Sequence, residues 1–292
     1  MDMQTTLKKP VKISGVGLHT GCQVSITLCP APEDTGVIFR RVDLQNFQIE
    51  ALRKRVSRVV LATTLMKKGV MLSTVEHILS ALYGLELDNV YIDIDSLEVP
   101  IMDGSALPFV EMVSQAGIQE QDKERIFLKV QKPIRLKNRE KFISIEPSSS
   151  FQISYEIDFT HPMIGHQVLN MELTPELYRR DIAYARTFGF YAEVEDLRKK
   201  GLIRGGSFDN AVVLSETEIM NGELRSPDEF VRHKILDLIG DISLCGYPLI
   251  GHIRAHKAGH ALHTALATTL VRDPSLCCYV SESQLNSHAV NF

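Results

Sequence analysis

Strand-like and helix-like segments follow one another in an order that occurs twice along the chain, and this order most constrains the fold. The first part contains segments rich in β-branched residues and separated by Gly, Pro and Asn: KKPVKISGV, QVSITL, GVIFRRV and RVVLATTLM. A helix is predicted over roughly residues 73 to 84, NVYIDIDSLEV resumes the strand alternation, and a second helix ends at about Gly117.

The same order then returns. RIFLKVQKPIRLKN, KFISIEP and FQISYEIDF predict strands, and a long helix is predicted from about Pro227. KPVKI near residue 9 and KPIRL near residue 132 stand at equivalent places. We therefore predict an α+β fold with two similar halves, each a sheet with helices on one face. The polar stretch QEQDKER at 119–125 is the predicted boundary, which gives domains of 1–120 and 125–292 with a site in the cleft between them.

Composition narrows the class of protein. The 292 residues are 44% hydrophobic, enough for a sizeable core. The formal net charge of -4 gives no basic field for nucleic acid, and the sequence contains neither a signal-peptide core nor an apolar run of about 18 residues. We expect a soluble, cytoplasmic protein. Five cysteines without a CxxC pair predict reduced thiols, so any metal must be bound by His, Asp and Glu.

The segment RHKILDLIGD, residues 232–241, places polar side chains at four-residue spacing. His233, Asp237 and Asp241, together with Lys234, would cover about 100° of a helix, with aliphatic residues on the other side. This pattern is typical of the solvated face of an amphipathic helix. A histidine and a carboxylate four residues apart could also bind one metal ion, but a catalytic metal needs a third ligand.

The segment LSTVEHILSAL, residues 72–82, offers that ligand. Ser73 and Glu76 fit a capping box, in which the glutamate only satisfies an amide at the helix end. Alternatively, His77 binds the metal, and Glu76, about 100° around the helix, acts as a general base on a water molecule. The local sequence favours neither interpretation.

Three further segments carry candidate residues. HIRAHKAGHALH, at 252–263, contains four histidines, and one held by Asp241 would have a raised pKa and could protonate the departing nitrogen of an amide. GVGLHTG, at 15–21, does not match a dinucleotide-binding loop, and GLIRGGSFDNAVVL, at 201–214, lacks a phosphate-loop lysine. Both are predicted to be turns, with His19 a candidate ligand contact.

Seven segments between about residues 10 and 270 resemble, in the same order, the zinc-dependent UDP-3-O-acyl-N-acetylglucosamine deacetylases of lipid A biosynthesis. They are SGVGLHTG, TVEHILSAL, VPIMDGSA, ARTFGF, GGSFDNAVV, RHKILDLIGD and HKAGHALH. The resemblance implies hydrolysis of the N-acetyl amide to acetate and UDP-3-O-acyl-glucosamine, with Zn²⁺ as the cofactor and Fe²⁺ as an alternative. It also implies two sandwiches of similar topology, each with a small insertion. We expect a monomer with no nucleic-acid partner and at most a peripheral contact with the membrane.

The resemblance also implies roles for residues of this sequence. The zinc ligands would be His77, His233 and Asp237. Glu76 would be the general base for the metal-bound water, and His260 the general acid oriented by Asp241. Thr187 would stabilise the oxyanion together with the zinc, and Lys234 is a further catalytic candidate.

The resemblance also implies contacts between this chain and the substrate. They comprise Lys234 and Lys257 facing the diphosphate, Asp158 and Phe159 near the uridine, and His19 as a ligand contact with no assigned substrate group. The passage for the acyl chain would involve residues 188–214, with Phe188, Phe190, Leu197, Leu202 and Val212 as candidate walls, and ordinary core packing as the alternative for each.

The sequence departs from the family pattern in two places, and two other functions are compatible with it. His263 stands where the resemblance leads us to expect asparagine, which should affect only a peripheral contact. The tail after about Arg272, with Cys277 and Cys278, matches nothing. The alternatives are a zinc hydrolase for another amide, such as a peptidase, and a non-catalytic module that binds a metal or a nucleotide sugar.

Overall fold

The computed structural model describes residues 3–281 and 283–285, and these form a mixed α+β fold. The elements of the first half are β1 Met3–Leu7, β2 Val11–Val16, β3 Gln23–Pro30, β4 Val37–Arg41, β5 Phe47–Glu50, β6 Val56–Arg58, β7 Thr64–Lys67, β8 Val70–Leu72, α1 Glu76–Gly84, β9 Val90–Ile94, α2 Leu107–Ala116 and β10 Ile118–Glu124, with 3-10 turns at Val42–Leu44 and Arg53–Arg55.

The second half continues from β10. Its elements are β11 Ile126–Val130, β12 Ile134–Asn138, β13 Lys141–Glu146, β14 Phe151–Asp158, β15 His166–Glu172, α3 Pro175–Leu177, β16 Phe188–Phe190, α4 Tyr191–Lys199, β17 Val212–Leu214, α5 Glu229–Ser243, β18 Leu249–His256, α6 His260–Arg272 and β19 Cys277–Ser281, with a π-helical turn at Tyr178–Ile182.

The two main sheets share one topology. The first has the order β2-β3-β9-β4-β5, in which only β4 and β9 are parallel. The second contains the order β12-β13-β18-β14-β15, in which only β14 and β18 are parallel, and β11 and β19 extend it. KPVKI and KPIRL fall on the equivalent strands β2 and β12, each of which begins immediately after the Lys-Pro pair. The predicted similarity of the two halves is confirmed.

The helices occupy equivalent places too. Helix α1 precedes the central strand β9 and α2 follows it, just as α5 precedes β18 and α6 follows it. Apolar residues occur on nearly every side of α1 and along most of α5, because these helices pack against each other, α1 also against α2, and α5 also against α6, β14 and β15. The contact between α1 and α5 therefore joins the two halves.

Each half also carries an insertion, which follows β5 and precedes α1 in the first half, and follows β15 and precedes α5 in the second half. In the first half this is the three-stranded sheet β6-β7-β8, and in the second half it contains the pair β16 and β17. The described helices include none that is long and apolar enough to cross a membrane.

Two segments differ from the sequence-based expectation. The polar stretch 119–125 lies almost entirely in β10, which pairs antiparallel with β1 in a two-stranded ribbon. Its side chains are exposed or only partly buried, which explains a polarity that resembles that of a linker. In the tail, Cys277–Ser281 forms β19 on the edge of the second sheet, next to β11. Residue 282 and residues 286–292 of that tail lie outside the described residues.

Candidate functional site

Helix α5 carries its polar stripe into the interior of the protein. His233, Asp237 and Asp241 are 2%, 3% and 0% exposed. Gly240, between the two aspartates, lies so close to α1 that an added Cβ atom would overlap the carbonyl oxygen of Glu76. Because a solvated face would be exposed, the interpretation of this stripe as a solvated face is wrong.

His77 of α1 meets His233 and Asp237 of α5 in a buried cluster whose ligand atoms all lie within 4.8 Å of one another. Oδ1 of Asp237 is 3.4 Å from Nε2 of His233 and 3.7 Å from Nε2 of His77. Ligand atoms bound about 2.0 to 2.2 Å from a tetrahedral ion are separated by roughly 3.3 to 3.6 Å. The spacing of the three side chains thus fits one such ion between them.

The protonation states of this cluster also suit a cation. Burial and the neighbouring His233 lower the pKa of His77 to about 3, and burial lowers the pKa of His233, so both imidazoles are neutral. Burial opposes ionisation of Asp237, but Lys234 and the nearby histidines hold its pKa well below the usual range. Nδ1 of His233 donates to the carbonyl oxygen of Ala185 at 3.0 Å, which leaves Nε2 as the ligand atom.

Glu76 is the first residue of α1, and its carboxylate accepts a 3.0 Å hydrogen bond from the backbone N–H of Thr63. The Ser73 hydroxyl lies 3.0 Å from that of Thr64, and no described side chain caps the helix. The capping-box interpretation is therefore wrong. Burial, opposed by the charge of His260, raises the pKa of Glu76 to about 7, so the carboxylate can accept a proton near neutral pH.

A second buried cluster joins Asp241 to helix α6. Oδ2 of Asp241 accepts hydrogen bonds from Nδ1 of His260 at 2.7 Å and from Nδ1 of His263 at 2.9 Å, and Oδ1 accepts one from the Thr63 hydroxyl at 2.6 Å. Burial alone would raise the pKa of Asp241, but the two histidines lower it. An ionised Asp241 therefore fixes the orientation of the His260 ring.

The other ring nitrogen of His260 faces the first cluster. Its Nε2 lies 3.9 Å from Oε1 of Glu76 and 4.0 Å from Oδ2 of Asp237. Burial alone would lower the pKa of His260, but the charges of Asp241 and Asp237 outweigh it and raise the pKa to about 10. His260 is thus an imidazolium at neutral pH and can donate a proton from Nε2.

His263 was expected to affect only a peripheral contact, and this expectation is wrong. The side chain is 0% exposed and shares one oxygen of Asp241 with His260. Its Nε2 lies 2.9 Å from the hydroxyl of Tyr155, and the same hydroxyl lies 2.9 Å from the carbonyl oxygen of Ala258. The ring is thus enclosed and bonded at both nitrogens.

Lys234 contacts the metal-capable cluster, which is His77, His233 and Asp237, and Thr187 precedes Phe188 in the chain. Nζ of Lys234 is 2.9 Å from Oδ2 of Asp237 and 5.6 Å from the ring centroid of Phe188. The backbone of Thr187 donates to the carbonyl oxygen of Gly104 at 2.8 Å and accepts from β17 at 2.8 Å. Thr187 is thereby fixed between the DGSA turn and the second insertion.

An aromatic group adjoins the same cluster. The ring of Phe159 contacts those of Phe188 and Phe190 at centroid distances of 5.8 and 6.3 Å, and Phe188 lies 6.3 Å from the ring of His233. Val212, another candidate wall, is 1% exposed and belongs to the hydrophobic core, which favours core packing for that residue. Leu197 and Leu202 are only partly buried.

The remaining predicted contacts lie in two places. Asp158 and Lys257 pair with each other, with Nζ 2.8 Å from Oδ2, and the aspartate side chain is 47% exposed. His19 lies in the GVGLHTG turn, where the buried carboxylate of Glu98 accepts from the backbone N–H groups of His19 and Thr20 at 2.8 Å. Both ring nitrogens of His19 are buried without a partner among the described residues.

Sequence reasoning missed several residues of these clusters. Thr63, Glu98 and Tyr155 are buried side chains that bond to site residues, and each comes from a strand or loop remote in sequence from its partner. No spacing pattern marks them, because hydrogen bonds between distant segments depend on the fold and not on local periodicity.

Comparison with known proteins gives consistent matches. The family model described as UDP-3-O-acyl N-acetylglycosamine deacetylase matches residues 4–272. The UDP-3-O-acyl-N-acetylglucosamine deacetylase of Solibacter usitatus is 46% identical over 288 residues, which cover 98% of this chain and 97% of that protein. Proteins of the same name from Myxococcus xanthus and Syntrophus aciditrophicus are 47% and 48% identical over 278 and 273 residues, covering 94% and 93% of this chain and 88% and 87% of those proteins.

Proposed function

This chain belongs to the UDP-3-O-acyl N-acetylglycosamine deacetylase family, and from that membership we propose that it hydrolyses the N-acetyl amide of UDP-3-O-acyl-N-acetylglucosamine in lipid A biosynthesis. The products are acetate and UDP-3-O-acyl-glucosamine. One observation carries the proposal: a buried cluster of two neutral imidazoles and a carboxylate lies beside a carboxylate base and an imidazolium acid, which are 3.9 Å apart.

Zinc is the proposed metal, held by His77, His233 and Asp237. Two neutral imidazoles and one carboxylate form a ligand set typical of catalytic zinc, although Fe²⁺ would accept the same ligands. When bound, such an ion polarises the amide carbonyl and makes a water molecule more acidic.

Two side chains move the protons. Glu76 takes a proton from the attacking water as the new C–O bond forms, because its carboxylate has a pKa of about 7. His260 gives its Nε2 proton to the amide nitrogen as the C–N bond breaks, and acetate and a free amine result. Asp241 holds Nδ1 of His260 throughout, so that Nε2 carries the proton to be transferred.

Further side chains stabilise and bind the substrate in this proposal. The Thr187 hydroxyl and the Lys234 ammonium support the negative oxygen of the tetrahedral intermediate, and Lys234 is 2.9 Å from a proposed metal ligand. Proposed substrate contacts are Lys257 for the diphosphate, Asp158 and Phe159 for the uridine, Phe188 for the acyl chain, and His19 without an assigned substrate group. The ring nitrogens of His19, which have no partner within the described part of the chain, and the ion pair of Lys257 with the half-exposed Asp158 support these assignments.

The setting of the reaction is also a proposal. All five cysteines are free thiols, which supports a reducing compartment such as the cytoplasm. Because every proposed catalytic side chain comes from one chain, a monomer would suffice for activity.

The direct experiment measures acetate release from UDP-3-O-acyl-N-acetylglucosamine with and without a strong chelator, followed by addition of zinc. We expect chelation to abolish turnover and zinc to restore it. His233→Ala should lose both bound metal and turnover, whereas His166→Ala, which removes a histidine with a 57% exposed side chain, should keep both.

The same acetate-release assay, run on substrates with and without the 3-O-acyl group, separates the alternative functions. Turnover that does not depend on the 3-O-acyl group would favour a zinc hydrolase for another amide. Folded, zinc-loaded protein that releases no acetate would favour a non-catalytic binding module.

A further inference from the structure

The carboxylate that holds the proposed general acid also holds a second histidine. His260 and His263 lie one turn apart on α6, and Nδ1 of each donates to the same oxygen of Asp241. We propose, on the basis of the proposed function, that His263 is a positioning residue that fixes Asp241, and through it His260, for proton transfer, with Tyr155 as its anchor.

Hydrogen-bond geometry determines what His263 can do. An ionised carboxylate only accepts, so Nδ1 of His263 carries a hydrogen directed at Asp241. At the far side of the ring, Nε2 lies 2.9 Å from the Tyr155 hydroxyl, which is also 2.9 Å from the carbonyl oxygen of Ala258. The ring is therefore held from both ends, and its bond to Asp241 is present whether Nε2 donates to Tyr155 or accepts from it.

This arrangement fixes the plane of the Asp241 carboxylate. The Thr63 hydroxyl donates to Oδ1, while the two histidines donate to Oδ2 from rings whose centroids are 6.1 Å apart and whose planes differ by 78°. If His263 were lost, Oδ2 would keep only His260, the group that must give up and regain a proton in each turnover. The carboxylate could then rotate with His260, and misplacing a catalytic group by about 1 Å can cost roughly 100-fold in rate.

The test uses the full-length, zinc-loaded protein and three variants. His263→Leu removes the donor to Asp241, and we expect kcat to fall about 10-fold to 100-fold with KM and zinc content nearly unchanged. His263→Asn keeps an N–H near the position of Nδ1 but cannot reach Tyr155. Its kcat should therefore recover to within about 5-fold of the wild type. Tyr155→Phe removes only the anchor and should give an intermediate kcat.

If His263 had only a structural role, the leucine and asparagine variants would not differ in turnover. The proposed positioning role predicts that they do. Both His263 variants lose the bond to Tyr155, so both should melt below the wild type, while only the asparagine variant regains turnover. Equal kcat values for the leucine and asparagine variants at equal zinc content would overturn the inference, as would a leucine variant with unchanged kcat. If the wild type releases no acetate, the proposed function fails and this inference fails with it. Wild-type turnover with unaffected variants overturns the inference alone.

Discussion

Thr63 connects the proposed base to the proposed acid through two different groups. Its backbone N–H donates to Glu76, and its hydroxyl donates to Asp241 at 2.6 Å and lies 3.4 Å from Nδ1 of His260. The residue is fully buried, so no solvent competes for these bonds. One threonine thus fixes the relative positions of the two groups that exchange protons with the substrate.

Substitution of Thr63 tests this connection. Thr63→Val keeps the shape and the backbone N–H but leaves Oδ1 of Asp241 without its buried donor, which should cost about 1 to 3 kcal/mol of stability and lower kcat about 10-fold. Thr63→Ser retains the hydroxyl and serves as the control. Urea unfolding and acetate release would be measured for both variants, and equal kcat values in the two would contradict the proposed connection.

The pH dependence of turnover tests the pair formed by Glu76 and His260. Activity should rise as the pH passes the pKa of Glu76, about 7, because the base must be ionised, and fall as the pH passes the pKa of His260, about 10, because the acid must be protonated. A bound cation favours the carboxylate and disfavours the imidazolium, so both limbs shift to lower pH in the metal-loaded protein. Profiles of kcat/KM would show a bell. A flat profile over about pH 5 to 9 would argue against this pair.

For individual residues, local spacing in the sequence predicts some members of the site and not others. The four-residue interval between His233 and Asp237 places both on one side of a helix, so two members of the metal-capable cluster could be identified together. The burial of that side could not be predicted, because it depends on α1, which lies more than a hundred residues earlier in the chain. The contacts of Thr63 and His263 require the folded arrangement.

Among the secondary-structure elements, the contact between α1 and α5 determines the geometry of the site. Gly240 permits this contact, because any side chain there would meet the backbone of Glu76. Glycine weakens a helix interior by about 1 kcal/mol relative to alanine, so its presence in α5 has a cost that the close packing offsets. The approach brings His77 beside His233.

A buried ion pair fixes the ARTFGF segment to the start of α5. Glu229 is 0% exposed and accepts from Nε of Arg186 at 2.8 Å and from the backbone of Arg225 at 2.7 Å. Glu229→Gln should destabilise the fold by about 3 kcal/mol, because it leaves a largely buried guanidinium without its counter-charge. The pair of Arg180 with Asp181 is more exposed, so Asp181→Asn should cost less than about 1 kcal/mol in the same urea unfolding experiment. Equal losses in the two variants would contradict the role of burial.

The predicted elements agree with the structure where periodicity is strong. The helix predicted near residues 73 to 84 is Glu76–Gly84, and the one predicted from about Pro227 is Glu229–Ser243. The polar strand β10 was not predicted, since none of its side chains is buried and its sequence, with few apolar residues, resembles a linker. The predicted domain limits of 1–120 and 125–292 stay a prediction.

Across the whole molecule, two sheets of one topology place equivalent helices against each other. Helices α1 and α5 both precede the central strand of their sheets, so the pseudo-symmetric contact between them lies where the halves meet. One half supplies Glu76 and His77, and the other supplies His233, Asp237, Asp241 and His260. Neither half alone contains all three proposed metal ligands, so catalysis in this proposal requires both halves.

This division of ligands predicts that metal binding stabilises the whole chain. His77 comes from one half while His233 and Asp237 come from the other, so a bound ion connects the two across the contact of α1 with α5. Free zinc at about 1,000 times its Kd contributes roughly 4 kcal/mol, which corresponds to a melting temperature higher by about 10 °C. Calorimetry with zinc and with a chelator would measure the difference. His77→Ala removes the only proposed ligand of the first half and should reduce the effect of the chelator to within about 2 °C. Loss of zinc from the wild type without a change in melting temperature would mean that the ion does not connect the halves.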